Sequence, residues 1–294
     1  MDPKTLLLTG LVLVTAAFVV FWIVAARSQR GAGPAAAASG APGLHIGIGF
    51  VTNFFDTLGI GSFATTTTLY RLRSLVDDRL IPGTLNVGHF LPTVAQALIY
   101  ITIVEVEFTT LALMIAAAVG GSWLGAGVVS NLPHRQIQRG MGTALIVAAV
   151  LMVMTALALF PGGGDALDLT GTRLWVGLAI NFALGALMTL GIGLYAPCMI
   201  LVSLLGMNPT AAFPIMMGSC AFLMPTAGFR FVRQASYSLP AAAGLALGGV
   251  PAVLVAALIV RSLPLTVVRW LVVVVVVYAA VSLLRASHEN TERP

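Results

Sequence analysis

An aspartate, Asp56, stands one helical turn ahead of Gly59-Ile60-Gly61 in "FFDTLGIGSF", residues 54–63, inside a stretch apolar enough to cross a bilayer. An ionisable group at membrane depth is costly and marks a functional position by default. Its chemistry there would be proton coupling or gating: a carboxylate one turn before a break can change protonation as a cavity alternates its access. The structural alternative is that Asp56 accepts hydrogen bonds from backbone amides freed by the break and holds it closed. A second titratable group, His89, lies with Asn86 in "PGTLNVGHFLPT", ahead of a proline that should disturb its helix. The two offer donors to an oxyanion, or a second proton-transfer or gating group.

The helix restarting after Gly61, "SFATTTTLY", would present an N-terminus with unpaired amides and partial positive charge, supplemented by the hydroxyls of Ser62, Thr65 and Thr66. Such an end binds anions. Ser62 followed by His89 also imitates a serine hydrolase dyad, but no glycine follows the serine and no third group to orient the histidine is evident. The expectation is therefore a carrier, with an anion channel of the same fold and an intramembrane serine hydrolase as the alternatives.

The elements that must position these residues are membrane helices. The chain has 294 residues, 59% hydrophobic and 9% charged, with continuous rather than alternating apolar runs. That composition excludes a soluble domain and a barrel. Apolar segments fall near 5–26, 44–70, 84–104, 107–130, 141–160, 174–204, 210–229, 238–260 and 264–284. The first is too long for a secretory signal and reads as an anchor helix, joined by an Ala/Gly/Pro/Ser linker up to residue 43 to the main body. The net charge of +5 comes from basic residues scattered in short loops, which points to topology and not to nucleic acid. Cys198 and Cys220 lack disulfide or metal-ligand spacing, and no nucleotide-binding loop is present, so no cofactor or metal is implied.

Two segments, 44–70 and 174–204, are too long for a simple span, and each is interrupted by Gly-Ile-Gly, at Gly59 to Gly61 and at Gly191 to Gly193. A shift of 132 residues superimposes the triplets and also pairs Phe50 with Phe182, Thr57 with Thr189, Pro82 with Pro214 and Phe90 with Phe222. This is the mark of a duplication. A pairing of "PGT" at 82–84 with "MGS" at 217–219 is the competing register after the loop. The clusters Arg27 with Arg30, Arg71 with Arg73 and Arg79, Arg135 with Arg139, Arg230 with Arg233, and Arg285 all become cytoplasmic if each broken segment folds back as a hairpin. Arg173, Arg261 and Arg269 then remain on or near the outer side. Each half makes an odd number of crossings, so the halves, 44–165 and 166–294, are inverted repeats, with a substrate site where the breaks meet near the midplane. The simpler alternative is that the glycines only let helices pack closely, as "GGSWLGAG" at 120–127 suggests.

The motifs "FFDTLGIGS" and "GIGLYAPCMILVSLLGMNPTAAFPIMMGS" resemble those of the TauE/SafE family of sulfite exporters and toluene sulfonate uptake permeases, over roughly residues 44–284. Ile60 and Ile192 replace glycines of the family pattern, and Thr65 stands where a proline is common. The resemblance implies a multi-pass transporter of sulfur-containing anions in the cell membrane. The expected partners are a small anionic substrate, the lipid bilayer and a second copy in a homodimer. The expected site comprises Gly59, Gly61, Ser62, Thr65, Thr66, Asn86, Gly191, Gly193 and Ser219, with Asp56 and His89 as coupling or gating groups.

Overall fold

In the computed structural model, residues 2–29, 41–157, 159, 163–191, 193–259 and 277 are described. The described elements are helical: α1 (Pro3–Gln29), α2 (Pro42–Thr57), α3 (Ser62–Leu72), α4 (Ile81–Gly88), α5 (Phe90–Ile103), α6 (Phe108–Val129), α7 (His134–Ala156), α8 (Gly171–Met188), α9 (Tyr195–Leu204), α10 (Ala212–Arg233) and α11 (Leu239–Ile259). Five of the described helical segments, Pro3–Ser28, Phe108–Val129, Gly171–Met188, Pro209–Arg233 and Leu239–Leu258, are long and apolar enough to cross a membrane. The chain is an all-α polytopic membrane protein. The expected segment at 264–284, apart from residue 277, and most of the linker before residue 43 lie outside the described residues.

Both overlong segments are interrupted at the glycines, between α2 and α3 and between α8 and α9. The segment expected at 84–104 is also divided, with His89 between α4 and α5. Pro92 lies three residues beyond His89, and the missing amide and ring bulk of a proline disturb the turn before it. With the 132-residue shift, the bounds of α2, α3, α4–α5 and α6 fall within three residues of those of α8, α9, α10 and α11.

Packing follows the same exchange. Helix α2 lies against α11, and α8 against α6. Both interfaces depend on small residues, since a Cβ on Gly49 or Gly248 would meet the facing α11 or α2 backbone, and one on Gly121 or Gly185 the facing α8 or α6 backbone. Lipid supplies no hydrophobic drive between helices, so close backbone approach takes its place. The 120–127 stretch thus serves packing, with Gly121 and Gly125 against Phe182 and Ala186. Between these two pairs, α10 packs on α5, α4 and α6 and is almost wholly buried. Helix α1 joins the bundle along α10, and its Trp22 Nε1 donates to the Tyr237 hydroxyl at 3.2 Å.

Candidate functional site

The first break is closed by its own backbone before any side chain contributes. The Gly59 amide donates to Asp56 O at 2.8 Å and the Ile60 amide to Phe55 O at 3.1 Å, which satisfies the last carbonyls of α2. This pairing needs a left-handed residue at Gly59, whose φ is +86°. Gly61 precedes α3 at φ +82° and ψ 124°, a region open essentially to glycine. A Cβ added to Gly59 or Gly61 would meet nothing within 4 Å, so the break borders open space.

Asp56 sits in the last turn of α2, fully buried, and spans this break. Its Oδ1 accepts from the Ser62 amide at 2.5 Å, and its Oδ2 from Gln96 Nε2 at 2.9 Å. The first donor of the restarting helix, expected to be free for an anion, is therefore engaged by a carboxylate of the same chain. Gln96 Nε2 also donates to Thr57 Oγ1 at 3.0 Å, and the Tyr100 hydroxyl donates to Thr57 O at 2.8 Å. Tyr195, the first residue of α9, donates from its hydroxyl to Gln96 Oε1 at 2.9 Å. One glutamine thus joins the carboxylate of the first break to the helix that follows the second.

The second break also lies close to side chains of α3 and α4. A Cβ on Gly193 would lie 3.8 Å from Phe63 Cβ, and one on Gly191, where φ is +93°, 3.6 Å from Leu85 Cδ1. The shift of 132 residues pairs Phe63 with Tyr195, and Asp56 with Met188, whose sulfur contacts Cys220 Sγ at 3.6 Å. The carboxylate therefore belongs to one break only. Pro197 occupies the first turn of α9, where its missing amide costs little.

His89 bridges α2 and α3. Its Nδ1–H donates to Asn53 Oδ1 at 3.0 Å, and its Nε2 in the neutral ring accepts from the Thr66 hydroxyl at 2.9 Å. With both ring nitrogens engaged there, it is not poised as a base on Ser62. Thr65 turns its hydroxyl onto Gly61 O and Ser62 O at 3.1 and 2.9 Å. Asn86 Nδ2 donates to Pro82 O at 2.8 Å, and its buried Oδ1 has no hydrogen-bond partner. Ser219 accepts from Asn181 Nδ2 at 3.2 Å, in a separate polar contact between α8 and α10.

Beyond His89 the polar row continues away from the break. Asp56, Asn53, Gly49 and His45 share one face of α2, and Ser62, Thr66 and Tyr70 one face of α3. The last pair meets edge to face, with the His45 and Tyr70 ring centroids 5.7 Å apart. Both rings are buried, yet neither His45 nitrogen nor the Tyr70 hydroxyl has a hydrogen-bond partner. Eleven residues of helix separate His45 from Asp56, about 16 Å of rise. Tyr195, Tyr100, His45 and Tyr70 do not stand out in the sequence. The signal for the last two lay in their spacing of three to four residues along the two polar faces.

A family model for the sulfite exporters TauE/SafE matches residues 1–152. The chain belongs to the TauE/SafE family. That match covers more than half of the chain and takes in α1 to α6 and most of α7, including Asp56, Ser62, His89 and Gln96. It starts earlier than the motif resemblance, which began near residue 44. No curated protein and no solved structure matches. Membership of TauE/SafE makes the chain a membrane transporter by family.

Proposed function

We propose that the chain is a secondary transporter of a small sulfur oxyanion, sulfite or an organosulfonate, across the cell membrane, and that Asp56 couples this movement to protons. The observation that carries the reading is the position of the Asp56 carboxylate, hydrogen-bonded to the amide that opens α3 and, through Gln96, to the tyrosine that opens α9. A single protonation event there acts on both broken helices. Protonated, Asp56 has no charge to repel an anion at the α3 N-terminus, where the amides of Phe63 and Ala64 are the remaining first-turn donors. Ionised, it holds Ser62 and excludes the anion. The two states then favour loaded and empty cavities.

The helix bounds that recur at 132 residues and the exchanged packing of α2 on α11 and α8 on α6 support a pair of related halves. With the arginine clusters on one side, those halves are inverted, and rocking of one against the other alternates access to the breaks. A proton route would follow the buried row of His89 with Thr66 and of His45 with Tyr70, with water bridging the unpaired His45 and Tyr70 groups. Purified protein in proteoliposomes tests the reading. Labelled sulfite or a small sulfonate should move faster under an imposed pH gradient than without one. Equal flux in both conditions would remove proton coupling, and no flux of either anion would remove the substrate class.

A further inference from the structure

Three helices, α1, α6 and α10, leave an apolar groove of about 700 Å³ on the outside of the bundle. Phe18 and Phe21 of α1, Val119 and Trp123 of α6, and Pro225 and Phe229 of α10 form its walls. Two of those aromatic walls carry cations. The Arg230 guanidinium lies 4.3 Å from the Trp123 ring centroid and that of Arg233 5.5 Å from the Phe229 ring. Among the described residues, the side-chain ion pairs are Arg71 with Asp78 and Arg79 with Asp77, so no carboxylate of the described residues pairs with Arg230 or Arg233.

A third cation stands at the same end. Phe18 lies against Gly228, the Phe21 ring is 4.6 Å from that of Phe229, and Trp22 reaches Tyr237, so α1 and α10 run in the same direction. Arg27, in the last turn of α1, therefore emerges beside the last turn of α10 with Arg230 and Arg233. The positive-inside pattern makes this the cytoplasmic end, the side on which basic clusters meet anionic headgroups.

We infer that this groove is a binding site for an anionic phospholipid, with an acyl chain against Phe18, Phe21 and Phe229 and the phosphate between Arg230 and Arg233. The apolar walls select a hydrocarbon chain. The arginines supply planar donor pairs matched to phosphate oxygens, which a zwitterionic lipid, whose own ammonium competes, uses less well. The site stands apart from the helix breaks and does not depend on what the protein transports.

Tryptophan quenching by brominated lipids tests it, with the full-length protein in vesicles of phosphatidylcholine alone or mixed with phosphatidylglycerol. The part of the fluorescence that Trp123→Phe removes should be quenched more by brominated phosphatidylglycerol than by brominated phosphatidylcholine. Arg230→Gln with Arg233→Gln should lower that preference by roughly thirtyfold, the equivalent of about 1 kcal/mol per arginine. Arg230→Lys with Arg233→Lys, which keeps the charge but not the planar donor pairs and tests for misfolding, should fall between the native protein and the glutamine variant. Equal quenching by the two lipids, or a preference unchanged in the glutamine variant, would overturn the assignment. Quenching by neither lipid would mean that protein fills the groove, a second copy of the chain or segment 264–284, and would overturn it too.

Discussion

The Asp56 carboxylate accepts the Ser62 amide hydrogen at 2.5 Å, joining the last turn of α2 to the first turn of α3 across the four residues Leu58 to Gly61. A break in a membrane helix survives only if its backbone groups are satisfied by protein or water, and here a side chain six positions earlier does part of that work. The two readings of Asp56, structural and functional, are therefore not exclusive. Asp56→Ala leaves the Ser62 amide without its side-chain acceptor, at about 1–3 kcal/mol, and leaves Gln96 Nε2 only its bond to Thr57 Oγ1. Thermal melting in detergent should show a clearly lower midpoint for Asp56→Ala, and an unchanged midpoint would mean that the bond contributes nothing.

Gly61 holds φ +82° and ψ 124° with open space where a Cβ would project. Gly61→Ala therefore meets conformational strain and no clash, costing about 1–3 kcal/mol. The expected outcome is a protein that inserts but moves substrate poorly, while Gly61→Trp, which fills the open space, abolishes flux. Normal flux in both variants, with normal insertion, would take the break out of the transport path.

Tyr70 offers a sharper separation of stability from function. Its hydroxyl is buried without a hydrogen-bond partner, so Tyr70→Phe removes an unsatisfied group and should leave stability unchanged or slightly raised. If the hydroxyl and His45 form the cytoplasmic end of a proton route, the same change lowers gradient-driven flux and alters its pH profile. Native flux and pH profile in Tyr70→Phe and in His45→Gln would confine the route to His89 and Asp56.

Glu107, in the loop ahead of α6, caps that helix by accepting from the Thr109 and Thr110 amides at 2.7 Å each. Burial pushes its carboxyl up, but the amides of Thr110 and Thr109 outweigh it and leave it below the ordinary carboxylate range. A folded-state value below the unfolded one means that the stabilisation is present above the unfolded value and lost as pH falls through the folded one. Glu107→Ala should cost about 0.5–2 kcal/mol at neutral pH, and the difference from native should shrink in acid. A gap that stays constant with pH would assign the loss to something other than the charged cap.

Much of this was legible before any coordinates. Helix breaks at Gly59 to Gly61 and Gly191 to Gly193 follow from glycine pairs inside segments too long to be one span, and the interruption at His89 follows from Pro92. Asp56 stands out because lipid penalises charge whatever the fold. Other features were hidden because they join residues far apart in sequence. Gln96 lies 40 residues from Asp56 and 99 from Tyr195, and no periodicity encodes that meeting. Nor does a sequence show that Ser62 spends its amide on Asp56, or that Ser219 turns to Asn181. The apolar length of α1 identifies a span, but its place along α10 depends on Phe18, Phe21 and Trp22 finding Gly228, Phe229 and Tyr237.

The most direct test of the central claim compares two modes of transport in the Asp56→Asn protein, reconstituted beside native protein and checked for equal insertion. If Asp56 couples substrate to protons, the variant keeps exchange of labelled for unlabelled anion across the vesicle membrane but no longer accumulates anion when a pH gradient is imposed. Accumulation equal to that of native protein under the same gradient would contradict the account and leave Asp56 as a structural cap of α3.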